Sequence, residues 1–142
     1  MDTQYEQASV GTIAEGLLTL LTPNEEGGVV VGLRGDLGAG KTTLVQALAQ
    51  RLGVAETVTS PTFVVAKWYR TEHHIWKTLI HIDAYRIEDE GELNAIGWRD
   101  ILATKGALIV VEWPEKIIGS IPAHAKHFSI THLGDIRHIT QL

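Results

Sequence analysis

The period of the hydrophobic positions changes repeatedly along this chain, and each change marks a new element. Between Ser9 and Leu21, the residues Ile13, Leu17, Leu20 and Leu21 recur three or four positions apart. That spacing places them on one face of an amphipathic helix. The segment TPNEEGG at 22–28 reads as a turn. Val29 to Leu33 is a short β-branched run, the pattern of a buried strand, and it leads into a glycine-rich stretch. Leu44, Val45, Leu48 and Leu52 trace one face of a second helix, with Gly53 placed to cap its C-terminus.

Strands are predicted at Phe63–Tyr69 and Leu79–Ile82, joined by the polar stretch TEHH. Pro61 forces Ser60 into extended backbone, so SPTF reads as a loop entering the first of these strands. From Asp89 onward, Leu93, Ile96 and Ile101 predict a further helix. Ala107 to Val111 is continuously apolar, as in a central strand covered on both faces. HFSITHL and IRHITQL flank Gly134-Asp135, a hairpin signal. The order helix, strand, helix, strands, helix, strand, hairpin predicts a three-layer α/β domain around a mixed central β-sheet. At 142 residues the chain fits one domain spanning 1–142.

Composition narrows the functional classes. Hydrophobic residues make up 44% of the chain, enough for a globular core. There is no cysteine, which excludes disulfides, thiolate nucleophiles and cysteine-ligated metal sites and fits a cytoplasmic location. Net charge is −5, from 12 basic and 17 acidic residues. A protein that grips nucleic acid directly carries a basic stripe, so any such role is expected to run through a partner. The polar N-terminus lacks the pattern of a signal peptide, and the apolar runs are too short to span a membrane.

The chemistry concentrates at residues 35–43, GDLGAGKTT. Gly35-x-x-x-x-Gly40-Lys41-Thr42 is the complete phosphate-loop pattern, between a predicted strand and a predicted helix. Glycines let successive N–H groups face one anion, and the helix N-terminus adds partial positive charge. Lys41 is placed to reach the β- and γ-phosphates and the Thr42 hydroxyl to ligate Mg²⁺. A plain glycine-rich helix cap would use the same glycines, but would not require the lysine and threonine.

Such a site needs a further carboxylate. Glu112 and Asp83 each follow an apolar run, at the strand ends where α/β sheets bind ligands. One can hold Mg²⁺ and the other orient the attacking water, and the residues alone do not divide those roles. Ser60 and Thr62 of SPTF are candidates for a γ-phosphate-sensing loop or for a simple ST-turn. The histidines His73, His74, His81, His124, His127, His132 and His138 show no metal-binding spacing and read as surface or satisfied side chains. The EDEGE run reads as a solvated helix start, with a partner-facing acidic surface as the alternative. Trp113 reads as core in preference to pocket wall. The guanine-reading Asn-Lys-x-Asp element is absent, which favours ATP.

GDLGAGKTT, SPTF, HIDAYRIEDEGEL, IGWRDIL and VVEWPEK occur in the order and at the spacing of the bacterial TsaE (YjeE) family, which the chain resembles over nearly its whole length. The resemblance implies a small cytoplasmic P-loop ATPase that assists N6-threonylcarbamoyladenosine (t6A) formation at adenosine 37 of tRNAs reading ANN codons. It implies action on the TsaD–TsaB pair, contact with tRNA only through those partners, and use of ATP/ADP and Mg²⁺. It further implies that Gly38, Ala39, Gly40, Lys41, Thr42 and Thr43 hold the phosphates, with Lys41, Asp83 and Glu112 as catalytic residues. Thr42 and Glu112 are the implied metal ligands, and Arg137 the implied basic residue near the nucleotide. Phe63 stands where the family commonly has tyrosine, and the chain ends almost directly after the hairpin. Turnover is expected to be slow without partners, since no arginine finger is placed by sequence; Arg86 is the candidate for help in cis. A small-molecule kinase would need an arginine-rich lid, which the sequence lacks. A nucleotide-gated binding module with little hydrolysis is the other alternative.

Overall fold

A computed structural model describes residues 1–59 and 65–142. Its sheet has seven strands: β1 (Asp2–Glu6), β2 (Val29–Arg34), β3 (Ala66–Arg70), β4 (Thr78–Asp83), β5 (Ala107–Glu112), β6 (Lys126–Leu133) and β7 (Ile136–Gln141). They lie in the order β1-β7-β6-β2-β5-β4-β3. The centre is parallel, with β2 between β5 and β6 and with β4 beside β5. The pairs β1–β7, β6–β7 and β3–β4 are antiparallel, so the sheet is mixed as the sequence predicts.

Two apolar layers follow from the period-2 alternation of the central strands. Val29, Val31, Leu33, Leu79, Leu108 and Val110 face α1 (Val10–Thr19) and α2 (Lys41–Arg51), where Leu17, Leu44 and Leu48 are fully buried. Val30, Ile80, Ile82, Ile109 and Val111 face the other way, against Leu93, Trp98, Ile101 and Ile117. Every residue of β5 is buried, as its unbroken apolar run requires.

The elements depart from the sequence pattern in detail. The helix expected from Asp89 is a 3-10 helix, Glu90–Ile96, followed by the five-residue α3 (Trp98–Leu102). Gly97 separates them at φ 74°, a left-handed conformation that ends one segment and opens the next. The strand expected from Phe63 is described from Ala66, and SPTF with Phe63 lies outside the described residues. The N-terminal DTQYE, which carries no strand pattern, is the edge strand β1. Tyr5 alone of its five side chains is buried, so its alternation has a single apolar beat.

Candidate functional site

The parallel strands β2, β4 and β5 end on the same edge of the sheet, where Arg34, Asp83 and Glu112 emerge. The chain leaves β2 through Gly35 at φ 152°. A Cβ here would lie 2.5 Å from the Ile130 carbonyl oxygen of β6, so only glycine fits. The Ala39 N–H donates to the Asp36 carbonyl at 3.0 Å, closing the loop. Gly40, at φ 109°, is the N-cap of α2 and offers no side-chain cap. The first N–H groups of α2 therefore lack intrahelical acceptors at the point where Lys41, Thr42 and Thr43 begin the helix.

Lys41 is buried. Its ammonium donates to the carbonyls of Gly35 and, at 2.9 Å, Asp36, and lies 4.4 Å from the centre of the Trp113 ring. Burial pushes its pKa below the ordinary lysine value; Glu112, then Asp83, Glu115 and Asp36, act in the opposite sense.

Glu112 is the focus of the polar contacts. The residue is 3% exposed. The Thr42 hydroxyl lies 3.1 Å from Oε2 and 3.3 Å from Oε1, and His81 Nε2 lies 2.5 Å from Oε2. Asp83 pairs with Glu112 in register at the end of β4. Its carboxylate accepts from the Tyr85 N–H at 3.0 Å. Burial raises the Asp83 pKa above the ordinary value, the Tyr85 N–H opposes that, and the charge of Glu112 adds to it.

These groups surround a cavity of about 470 Å³, within the usual range for small-ligand sites. Gly38, Gly40, Lys41, Thr42 and Thr43 form one wall, and Asp83, Glu112 and Arg137 line it as well. Ala39 does not face it: its side chain is buried against the sheet and borders a smaller recess of about 260 Å³ beside β6. Any contact it makes to a ligand here would be through backbone. Arg137 projects from β7 across the loop, and a Cβ on Gly40 would lie 2.9 Å from its Nε. That Nε is buried without a hydrogen-bond partner among the described residues.

Other expectations are redistributed. Trp113, expected in the core, is half-buried in the cavity wall between Lys41 and Tyr85, whose ring centroid is 5.0 Å away. It adopts φ 60°, ψ 50° at the sharp turn after β5. This turn, stabilised by Pro114 at the start of the following 3-10 helix, redirects the ring from the sheet interior into the site. Arg86 also lines the cavity, with an exposed side chain. His81 is fully buried with Nε2 against Glu112, so of the two expected readings it is the satisfied histidine and not a surface one. Its place two residues before Asp83 on one strand face was the available signal. In EDEGE, Glu90 accepts from Gly119 N–H and the Ser120 hydroxyl, tying two 3-10 segments together.

Among the described residues no cluster of three or more histidine, aspartate or glutamate side chains has metal-binding geometry. Thr42 and Glu112 instead present a hydroxyl and a carboxylate side by side. That hard-oxygen pair fits Mg²⁺, which takes few protein ligands and keeps several waters.

A glycine loop between β2 and α2, a buried lysine and a threonine–carboxylate pair at the strand ends define a P-loop NTPase-like α/β protein. The family model described as threonylcarbamoyl adenosine biosynthesis protein TsaE matches residues 5–139, and the chain belongs to that family. It is 38% identical over 126 residues to the tRNA threonylcarbamoyladenosine biosynthesis protein TsaE of Haemophilus influenzae, covering 89% of this chain and 75% of that one. It is 37% identical over 130 residues to the protein of the same name from Treponema pallidum, covering 92% and 87%. The crystal structure of Bacillus subtilis YdiB superposes with a TM-score of 0.70 at 27% identity, covering 99% of this chain and 84% of that one. Family membership places the chain in tRNA threonylcarbamoyladenosine biosynthesis. Among the described residues no helix is long and apolar enough to cross a membrane.

Proposed function

We propose that this chain is an ATP-binding and hydrolysing accessory subunit for t6A modification of adenosine 37 in tRNAs reading ANN codons, acting in the cytoplasm on a TsaD–TsaB complex. The observation that carries the ATPase reading is the Thr42–Glu112 pair at the mouth of a loop whose lysine faces the same cavity. The partner reading rests on the family and on the charge of −5, which disfavours direct tRNA binding.

Each residue has a role suited to its surroundings. The loop backbone from Gly38 to Thr43 receives the phosphates with N–H donors that the helix leaves free. Lys41 exchanges its two carbonyl acceptors for phosphate oxygens and offsets charge on the β- and γ-phosphates. Thr42 and Glu112 would hold Mg²⁺, which when bound would supply further charge neutralisation. Asp83, whose raised pKa makes it a better proton acceptor than an ordinary aspartate, orients the attacking water or the metal's hydration. Arg137, unpaired at Nε and beside Gly40, adds positive charge over the loop. No covalent enzyme intermediate is needed.

Steady-state ATP hydrolysis, with and without purified TsaD–TsaB, tests this. Slow turnover alone, stimulation by the partners and loss of both in Lys41→Ala are expected. Fast hydrolysis that the partners leave unchanged would sink the accessory role. Tight nucleotide binding with no hydrolysis in either setting would favour a nucleotide-gated binding module.

A further inference from the structure

We infer that His81 is a positioning residue that fixes the carboxylate of Glu112 for metal binding; this rests on the reading of Glu112 as the Mg²⁺ carboxylate. The first observation is burial. His81 has no exposed surface, and burying a polar ring costs free energy unless it makes a specific contact. The second is the contact itself, Nε2 to Glu112 Oε2 at 2.5 Å. The third is the other ring nitrogen, Nδ1, which has no partner among the described residues.

Together these select a tautomer. With the proton on Nε2, the ring donates to Glu112 and leaves only a lone pair at Nδ1. The opposite neutral tautomer would bury an unpaired N–H and set two lone pairs against each other, the costlier arrangement. His81 therefore donates to Oε2 from within the sheet layer, while Thr42 approaches the same carboxylate from α2. Glu112 is thus held from two sides by groups on different elements.

The strand geometry makes the arrangement specific. His81, Asp83 and Leu79 alternate onto one face of β4, as Leu108, Val110 and Glu112 do on β5. Leucine would satisfy that apolar face as well as histidine does in shape. A histidine is explained by the carboxylate at its edge. Outer partners of metal ligands orient them, and their loss typically weakens metal affinity by about 10- to 100-fold.

The test compares His81→Leu, which removes the donor, with His81→Gln, whose amide nitrogen reaches the Nε2 position. Mn²⁺ serves as the probe, its binding in the presence of ADP followed by electron paramagnetic resonance. ADP binding without metal is measured in parallel. Expected are an approximately 10- to 100-fold loss of Mn²⁺ affinity in His81→Leu, recovery in His81→Gln, and unchanged metal-free ADP binding in both. Should the leucine variant fail to fold, His81→Asn replaces it, since its amide matches Nδ1 and does not reach Glu112. Wild-type Mn²⁺ affinity in the folded Leu or Asn variant overturns the inference. Equal losses in the donor-free and Gln variants also overturn it, because shape alone would then explain the residue. Glu112→Ala keeps the two readings apart. If wild type shows no ADP-dependent Mn²⁺ binding that Glu112→Ala abolishes, the metal role of Glu112 fails, whatever His81 does.

Discussion

Lys41 and Asp83 carry opposite charges into the same cavity, and burial opposes the charged form of both. For Lys41, removal of the ammonium by alanine should lower ATP hydrolysis by about 10²- to 10³-fold, the scale for losing one preorganised charge-stabilising group. Single-turnover kinetics would show the loss in the chemical step. For Asp83 the argument gives a sign for stability. Its raised pKa means that the folded protein holds this proton more tightly than the unfolded chain. Ionising it therefore destabilises the fold, by an amount that grows as pH rises from 3.8 through the raised folded value and stays constant above it. Asp83→Asn, which can still accept from the Tyr85 N–H, should melt above wild type at neutral pH, with the difference closing toward pH 3.8. Thermal melts across that range check this, and a variant less stable than wild type at neutral pH contradicts it. The same variant should lose hydrolysis, separating stability from activity at one residue.

The strand β1 pairs with β7, the strand that carries Arg137. Tyr5 pairs with Arg137 across the β1–β7 ladder and is 6% exposed. Tyr5→Ala should destabilise by about 3 kcal/mol, the cost of truncating a large core ring. Tyr5→Phe should be close to neutral, because the buried hydroxyl has no partner among the described residues to lose. Denaturant unfolding distinguishes the two, and a large cost for phenylalanine would show that the hydroxyl is satisfied. At the other end of the loop, Gly35 permits β2 to turn beneath Ile130. Gly35→Ala sets a Cβ against a backbone oxygen, which cannot rotate away, and should impair folding and nucleotide binding together.

For the molecule as a whole, the cavity is lined by α2, the ends of β4 and β5, and Arg137 of β7, so a nucleotide held there, as proposed, would join these elements around one ligand. A ligand at about 100 times its Kd stabilises the folded state by about 2.7 kcal/mol. For a protein of this size that corresponds to roughly 5–11 °C in Tm. Mg·ADP should produce such a shift in wild type and little in Lys41→Ala, as differential scanning fluorimetry would show. An equal shift in both would place the nucleotide elsewhere.

The sequence by itself determined the central strands, the two longer helices, the mixed three-layer architecture, and the places of Asp83 and Glu112 at the strand ends beside the glycine-rich loop. These rest on signals written locally: an apolar period of two or 3.6, glycines at fixed offsets, and carboxylates that end buried runs. Tertiary structure decided the rest. DTQYE becomes a strand because β7 offers an open edge, not because five polar-rich residues prefer that state. Trp113 enters the cavity because a left-handed turn at the end of β5 redirects it. His81 acquires Glu112 as a partner because adjacent parallel strands bring together residues 31 positions apart. Periodicity tells which face a side chain takes, but register and neighbouring elements decide what it meets there.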